Sequence, residues 1–453
     1  MPKQAQTTER PAEHALLVAV DWNRPAEDGA RWSVEDSLEE LARLAETAGI
    51  EVVGAVSQRM ARPHSGTYVG KGKLAEIVAL REDLGYDLVI ADDELSPGQQ
   101  RHLEDEVGVK VLDRTALILD IFAQRAQTHE GRLQVEVALL EYRLPRLTRM
   151  WTHLSRQAVG GVGLRGPGET QLEVDRRAAR ARIAMLKEQL KEIHLQRELY
   201  RERRRAREIP VVAIVGYTNA GKSTLLNALT DAGTLAEDKL FATLDPTTRR
   251  VRLPAGREVL ITDTVGFINN LPTMLVAAFR STLEEVGEAD IILHVLDITH
   301  PNAAEQAQTV RQVLGELGVA GRPTLVALNK IDLLDADVDP AALAADLALP
   351  PDVVPISGEG RIGLDALLGR IEAMLEGDLV SVTARIPYAR SDLVEVFHRE
   401  GQVASADFTE DGTTICGQLP PRLVARFRPF LAGDQPRARR HAKRSAAPAV
   451  ATP

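Results

Sequence analysis

Gly216-Tyr217-Thr218-Asn219-Ala220-Gly221-Lys222-Ser223 follows the apolar run Val211-Val212-Ala213-Ile214-Val215 and precedes Thr224-Leu225-Leu226-Asn227-Ala228-Leu229. A buried strand, a glycine-rich turn and a helix in that order are the context in which G-x-x-x-x-G-K-[ST] acquires meaning. Glycines let backbone N–H groups wrap a phosphate chain, and the helix start adds its positive dipole end. Lys222 is placed to reach the β- and γ-phosphates, and the Ser223 hydroxyl to ligate Mg²⁺. A chance glycine turn fits neither the complete pattern nor its flanks.

Three later stretches select the nucleotide. Val259-Leu260-Ile261-Thr262 leads into Asp263-Thr264-Val265-Gly266, a D-x-x-G in which Asp263 can hold the outer Mg²⁺ shell and the Gly266 N–H can meet a γ-phosphate. Thr324–Leu328 leads into Asn329-Lys330-Ile331-Asp332. An Asp carboxylate in N-K-x-D accepts from the N1–H and exocyclic amine of guanine, a donor pair that adenine lacks. Ser357-Gly358-Glu359 follows a further short strand and resembles the last guanine-binding loop of small GTPases. The four stretches imply a GTP-binding domain. Between the P-loop and Asp263 lies Phe241-Ala242-Thr243-Leu244-Asp245-Pro246-Thr247-Thr248. A threonine here completes the Mg²⁺ shell in GTP-bound proteins of this type, and spacing alone leaves Thr243, Thr247 and Thr248 in competition.

The rest of the 453 residues suggests about three domains. Hydrophobic residues at 44% and charged residues at 26% are ordinary for a globular protein. No run of about 20 apolar residues is present, and the N-terminus lacks the apolar centre of a signal peptide. The single cysteine, Cys416, excludes an internal disulfide framework and reads as a packing residue. These points suggest a cytoplasmic protein, with peripheral association at a membrane left open.

Taken in order, residues 1–13 read as a disordered tail and 14–127 as an α/β domain with a parallel sheet, since strand and helix patterns alternate. Within it, Gly70-Lys71-Gly72-Lys73 closes a basic, glycine-rich loop that reads as a helix start more readily than as an RNA contact. Residues 128–208 read as an antiparallel helical hairpin. Leu133, Val137, Leu140, Leu144 and Leu147 form one stripe, ended by Pro145, and Ile183, Leu186, Leu190 and Ile193 form another. The second helix is expected from Thr170 to Arg207, with a glycine-rich tip at 158–168 that carries Arg165. It is strongly basic, and Arg201, Arg203, Arg204 and Arg205, with Arg165, are the candidate RNA contacts. A solvated, ion-paired face is the competing reading. The net charge of −10 does not by itself suggest nucleic acid. Residues 209–375 form the GTP-binding domain, 376–432 a small α+β unit, and 433–453 a disordered basic tail.

The P-loop residues Tyr217-Thr218-Asn219, the stretch Phe241–Thr247, Asp263-Thr264-Val265-Gly266-Phe267 and Asn329-Lys330-Ile331-Asp332 together resemble the HflX GTPases. So do Gly70-Lys71-Gly72-Lys73, Val111-Leu112-Asp113-Arg114, Gly160–Gly163 and Gly166-Pro167-Gly168-Glu169-Thr170-Gln171. The resemblance implies a monomeric, cytoplasmic, Mg²⁺-dependent GTPase that binds the large ribosomal subunit and its rRNA and splits stalled ribosomes under stress. It also selects Thr243 as the Mg²⁺ threonine. Assembly or quality control of the large subunit is the alternative role, and a GTP-gated RNA-binding scaffold with little hydrolysis is the alternative class. Lys222, Asn219, Thr243 and Gly266 are the expected catalytic residues. Phe267 stands where many GTPases carry a water-orienting glutamine, so turnover without a partner is expected to be slow. Asn219 occupies a position where some glutamine-lacking GTPases carry an asparagine that helps bind K⁺, which makes K⁺ a second candidate ion.

Overall fold

A computed structural model describes residues 13–22, 32–147, 171–206, 209–230, 240–241, 243–269, 272, 275, 285–319, 321–335, 338–347, 349, 352–376, 380–419 and 421–431. The two tails, the hairpin tip with Arg165, and Ala242 lie outside these residues, as do the side chains of Arg201, Arg203, Arg204 and Arg205. The chain divides into two compact units, one drawn from Met1–Arg252 and Glu258–Leu367 and the other from Leu253–Arg257 and Leu368–Pro453.

The first unit opens with four parallel strands in the order β2-β1-β3-β4: β1 His14–Asp21, β2 Glu51–Arg59, β3 Leu88–Ala91 and β4 Lys110–Asp113. The alternation of strands with α1 (Val34–Thr47), α2 (Lys71–Leu84) and α3 (Pro97–Val107) matches the parallel α/β reading. Local chemistry sets the helix boundaries. Ser33 and Asp36 form a reciprocal capping box at α1, as do Ser96 and Gln99 at α3, where Pro97 occupies the first turn. Gly70 is the N-cap of α2, so the basic glycine stretch is a helix start, with Lys73 ion-paired to Glu76 at 2.9 Å.

The sequence reading assigns no element to 114–127, and there the structure has α4 (Arg114–Arg125). Asp113 ends β4 and caps α4 in one step by accepting from Ala116 N–H at 2.8 Å, so no turn residues announce the helix. The side chains of Leu117, Ile118, Leu119, Ile121 and Phe122 are all buried, which hides the helical period in an apolar run broken only by Asp120. Helix α5 (His129–Arg143) follows, capped by Thr128, and gives way at Pro145 to a 3₁₀ turn, Leu144–Arg146. Helix α6 (Gln171–Ala206) runs 36 residues, about 54 Å at 1.5 Å per residue. The two apolar stripes meet: Leu133, Val137, Ile183 and Leu186 are buried together, flanked by Leu140, Leu144, Leu190 and Ile193.

The same unit then builds a six-stranded sheet in the order β10-β9-β8-β5-β7-β6. Its strands are β5 Val211–Gly216, β6 Thr247–Arg252, β7 Glu258–Asp263, β8 Ile291–Asp297, β9 Thr324–Asn329 and β10 Val353–Pro355. Only the β6–β7 pairing is antiparallel. Every side chain of β8 is buried, as expected for a central strand covered on both faces. Helices α7 (Lys222–Thr230), α8 (Ala303–Glu316) and α9 (Pro340–Asp346) belong to the same unit, and α10 (Leu364–Glu376) begins in it and continues into the second. This sheet does not keep a wholly separate core. Tyr217, Leu240, Phe241, Leu244, Val265 and Ile268 are buried in one cluster with Leu117, Ile121, Phe122, Val135 and Tyr142. Phe241 meets Phe122 edge-to-face at 4.7 Å between centroids.

The second unit is an antiparallel sheet in the order β11-β13-β12, with β11 Val380–Ile386, β12 Gln402–Thr409 and β13 Gly412–Leu419. Helices α11 (Ser391–Glu400) and α12 (Pro421–Phe427) supply Leu393, Phe397, Leu423 and Phe427 to its core. This agrees with the expected C-terminal α+β arrangement. Among the described residues no helix is long and apolar enough to cross a membrane.

Candidate nucleotide-binding site

β5 delivers the chain into the turn Tyr217–Gly221, and α7 begins at Lys222. Two glycines are required by close approach. A Cβ at Gly216 would lie 2.3 Å from the Val295 carbonyl oxygen, and one at Gly221, whose φ is +89°, would lie 2.2 Å from Asn329 Nδ2. Non-glycine residues also adopt left-handed backbone in the motif loops: Asn219 (φ 61°), Phe241 (φ 55°) and Lys330 (φ 68°). Such conformations cost energy and persist only where the surroundings hold them, as at ligand-binding loops.

At the start of α7 three oxygen-bearing side chains converge. Ser223 Oγ lies 2.7 Å from Asp263 Oδ2 and 2.7 Å from Thr243 Oγ1. The other carboxylate oxygen, Asp263 Oδ1, is buried without a hydrogen-bond partner. Burial raises the Asp263 pKa, against the opposing pull of Lys222 and of the Ser223 and Thr243 hydroxyls. Burial likewise lowers Lys222 to about 8, with Asp263 pulling the other way. Lys222 Nζ donates to the Tyr217 carbonyl at 2.7 Å. An all-oxygen set with an unsatisfied buried carboxylate oxygen fits a hard cation such as Mg²⁺, which takes few protein ligands and keeps several waters. Among the described residues no group of three or more His, Cys, Asp and Glu side chains could hold a metal, so softer, all-protein metal sites have no support there.

The D-x-x-G loop is tied to the P-loop through backbone. Phe267 N–H donates to the Gly216 carbonyl at 3.0 Å, and Thr218 N–H donates to the Phe267 carbonyl at 2.8 Å. A Cβ on Gly266 would lie 2.9 Å from Lys222 Nζ. The Phe267 ring is buried among Ala213, Val215, Val286 and Ile292, so it packs the core and cannot orient water. Thr264 Oγ1 donates to the Ile214 carbonyl at 2.6 Å and locks β7 to β5.

The base-side loops lie at the ends of β9 and β10. Asn329 spends both ends of its amide on the frame: Nδ2 donates to the Ala220 carbonyl at 2.8 Å and Oδ1 accepts from Gly358 N–H at 2.9 Å. It therefore braces the P-loop against the Ser357-Gly358-Glu359 loop. Lys330 pairs with Asp297 at 2.7 Å. Ile331 and Asp332 begin a 3₁₀ turn in which Asp332 is exposed, and Ser357 is buried with its hydroxyl accepting from Gly360 N–H at 2.8 Å.

Some predicted site side chains face the N-terminal sheet. Asp245 accepts from the Gln127 and Thr128 N–H groups at 3.0 and 2.8 Å and from the Thr128 hydroxyl, so it serves the start of α5. The Tyr217 ring stacks on Trp32 at 5.8 Å, and its hydroxyl bonds Glu40. Glu40 belongs to a buried cluster that the sequence reading misses: Arg114 pairs with Glu40 and, at 2.6 Å, with Asp92. The signal available for it is an arginine opening an apolar run, with two acids elsewhere to neutralise it.

Strand, glycine turn and helix, with D-x-x-G closing β7 and N-K-x-D closing β9, define a P-loop GTPase. Family models agree: a GTP-binding GTPase N-terminal domain matches residues 35–123, a GTP-binding GTPase middle region 125–204, and a 50S ribosome-binding GTPase domain 211–330. The chain is 48% identical over 422 residues to the GTPase HflX of Caldanaerobacter subterraneus subsp. tengcongensis, covering 93% of this chain and 94% of that protein. It is 43% identical over 401 residues to the GTPase HflX of Escherichia coli, covering 88% and 92%. Among solved structures, it is similar to a GTP-binding protein of the archaeon Sulfolobus solfataricus in complex with GDP: 28% identity, 80% of this chain, 98% of that one, TM-score 0.42. The chain belongs to the HflX family of GTPases, enzymes that hydrolyse GTP.

Proposed function

We propose that this GTPase runs its GTP cycle on the large ribosomal subunit, where it splits or rescues stalled ribosomes. The observation that carries the proposal is the match of residues 211–330 to a family described as 50S ribosome-binding GTPases. Backbone N–H groups of Gly216–Ser223 cradle the phosphates, Lys222 neutralises the β- and γ-phosphates, and Gly266 N–H contacts the γ-phosphate. Ser223 and Thr243 would hold Mg²⁺ and Asp263 would hold its bound water; the ion would supply positive charge to offset charge developing on the phosphates. Asp332 reads the guanine edge, while Asn329 and the Ser357–Glu359 loop shape its pocket.

With Phe267 buried in the core, the attacking water is positioned by backbone, another side chain or the ribosome, and a K⁺ held beside Asn219, which is exposed in the turn, would supply transition-state charge. Equal turnover in K⁺ and Na⁺ would remove the Asn219 part alone. The basic helix α6 supplies RNA phosphate contacts beyond its ion pairs with α5, such as Lys187–Glu141 at 2.7 Å. The deciding experiment is a sucrose-gradient profile of intact ribosomes with the protein and GTP. Conversion of 70S particles to subunits supports splitting. Unchanged 70S with the protein bound only to immature large subunits supports assembly or quality control instead.

A further inference from the structure

Tyr217 is the first variable residue of the P-loop, yet its side chain turns to Trp32 and to Glu40 on α1. Only 3% of it is exposed. Its hydroxyl is a meeting point of three segments. It donates to Glu40 Oε1 on α1, and it accepts from the backbone N–H of Asn269 at 2.6 Å. Asn269 lies three residues beyond Gly266, on the loop that must meet a γ-phosphate.

Behind Glu40 the carboxylates are fully paired, although Arg114 Nε is buried without a partner. Arg114 binds Glu40 Oε2 and Asp92 Oδ1, and Ser37 Oγ donates to Asp92 Oδ2 at 2.6 Å. Every carboxylate oxygen of this pair of acids is thereby occupied. Burial pushes the Tyr217 phenol well above its ordinary range, helped by the Glu40 charge, so the group remains a hydroxyl that donates and accepts at once. Burial alone would lower Arg114; the Glu40 and Asp92 charges outweigh it and hold the guanidinium charged. A hydroxyl polarised by a carboxylate on one side is a better acceptor for an amide N–H on the other. Trp32 stacks on the ring within an interplanar angle of 20° and limits its swing.

We propose that Tyr217 is a positioning residue for GTP hydrolysis: through the Asn269 N–H it holds the Gly266–Asn269 loop in register with the P-loop, and Glu40, fixed by Arg114, sets where that hydroxyl stands. Helix α1 thus contributes to the phosphate site through one carboxylate oxygen. The ordinary alternative is that Tyr217 only packs the boundary between the two sheets. The inference rests on the GTPase activity and is independent of the role at the ribosome, because its readout is turnover without ribosomes.

The test uses the full chain with Tyr217→Phe, which keeps the ring and its stacking on Trp32 while deleting the hydroxyl, and Glu40→Gln alone and in combination. Single-turnover hydrolysis, KM for GTP and the thermal midpoint are measured for each. The expected result is a fall in kcat of about tenfold for Tyr217→Phe with KM within about twofold, and a double variant no slower than the slower single one. Parental kcat in folded Tyr217→Phe would overturn the proposal. So would a loss of kcat that tracks a lowered thermal midpoint and adds across the two substitutions, since that is the behaviour of a packing residue. Should Glu40→Gln fail to fold, the kcat and KM of Tyr217→Phe decide the matter alone.

Discussion

Two buried polar clusters sit in the same unit, and they are finished differently. Around Glu40, Asp92 and Arg114 each carboxylate oxygen has a partner, Tyr217 and Arg114 for one acid and Arg114 and Ser37 for the other, and only the Arg114 Nε donor is left buried without one. Around Lys222 and Asp263 the account does not close. Asp263 Oδ1 and the neighbouring Thr218 Oγ1 are buried without partners. Buried carboxylates with every oxygen paired specify a fixed geometry, whereas a buried carboxylate oxygen left unpaired beside a lysine and two hydroxyls points to a ligand that completes it. The first cluster connects two sheets; the second awaits phosphate and a cation.

That contrast can be broken most forcefully at Arg114. Replacing it with Met strands two buried carboxylates and should cost about 3–5 kcal/mol in denaturant unfolding of the full chain. Asp263→Asn should behave in the opposite way. It keeps a partner for Ser223 and Thr243 but removes a buried charge that the folded chain holds poorly, so stability should move by less than about 1 kcal/mol. Turnover should nevertheless fall about a hundredfold, near 2.7 kcal/mol in barrier. Equal losses of stability in the two variants would erase the distinction between a closed cluster and an open one. A smaller effect is expected at the base. Asp332→Asn should weaken GTP binding by about 1–3 kcal/mol, because a donor replaces the acceptor that faces two guanine donors. Xanthosine triphosphate should then compete better, and GTP bound as tightly as by the parent would remove Asp332 from the guanine pocket.

The two clusters also differ in how far they could be read in advance. The loops around Lys222, Asp263 and Asn329 are contiguous motifs, each at the end of an apolar strand, and parallel strands place such ends along one edge of the sheet. Which loops meet was therefore legible. The other cluster was not. Glu40 and Tyr217 are 177 positions apart, and Glu40 lies on an acidic, amphipathic helix where a glutamate reads as solvated. Arg114 opens α4, itself unread because Asp113 closes a strand and caps a helix without an intervening turn. Membership in a motif likewise marks Tyr217, Phe241 and Asp245 as nucleotide contacts. Their side chains turn to Glu40, Phe122 and Thr128 instead, a choice made by long-range packing that no local window carries.

This chain hydrolyses GTP, and the proposal that the large ribosomal subunit completes its site rests on Phe267, the residue after Gly266, being committed to the core. Steady-state GTP turnover, measured with and without purified large subunits, tests it most directly. The account predicts slow turnover alone and clear acceleration when subunits are added. Fast turnover without them, unchanged on their addition, would contradict it.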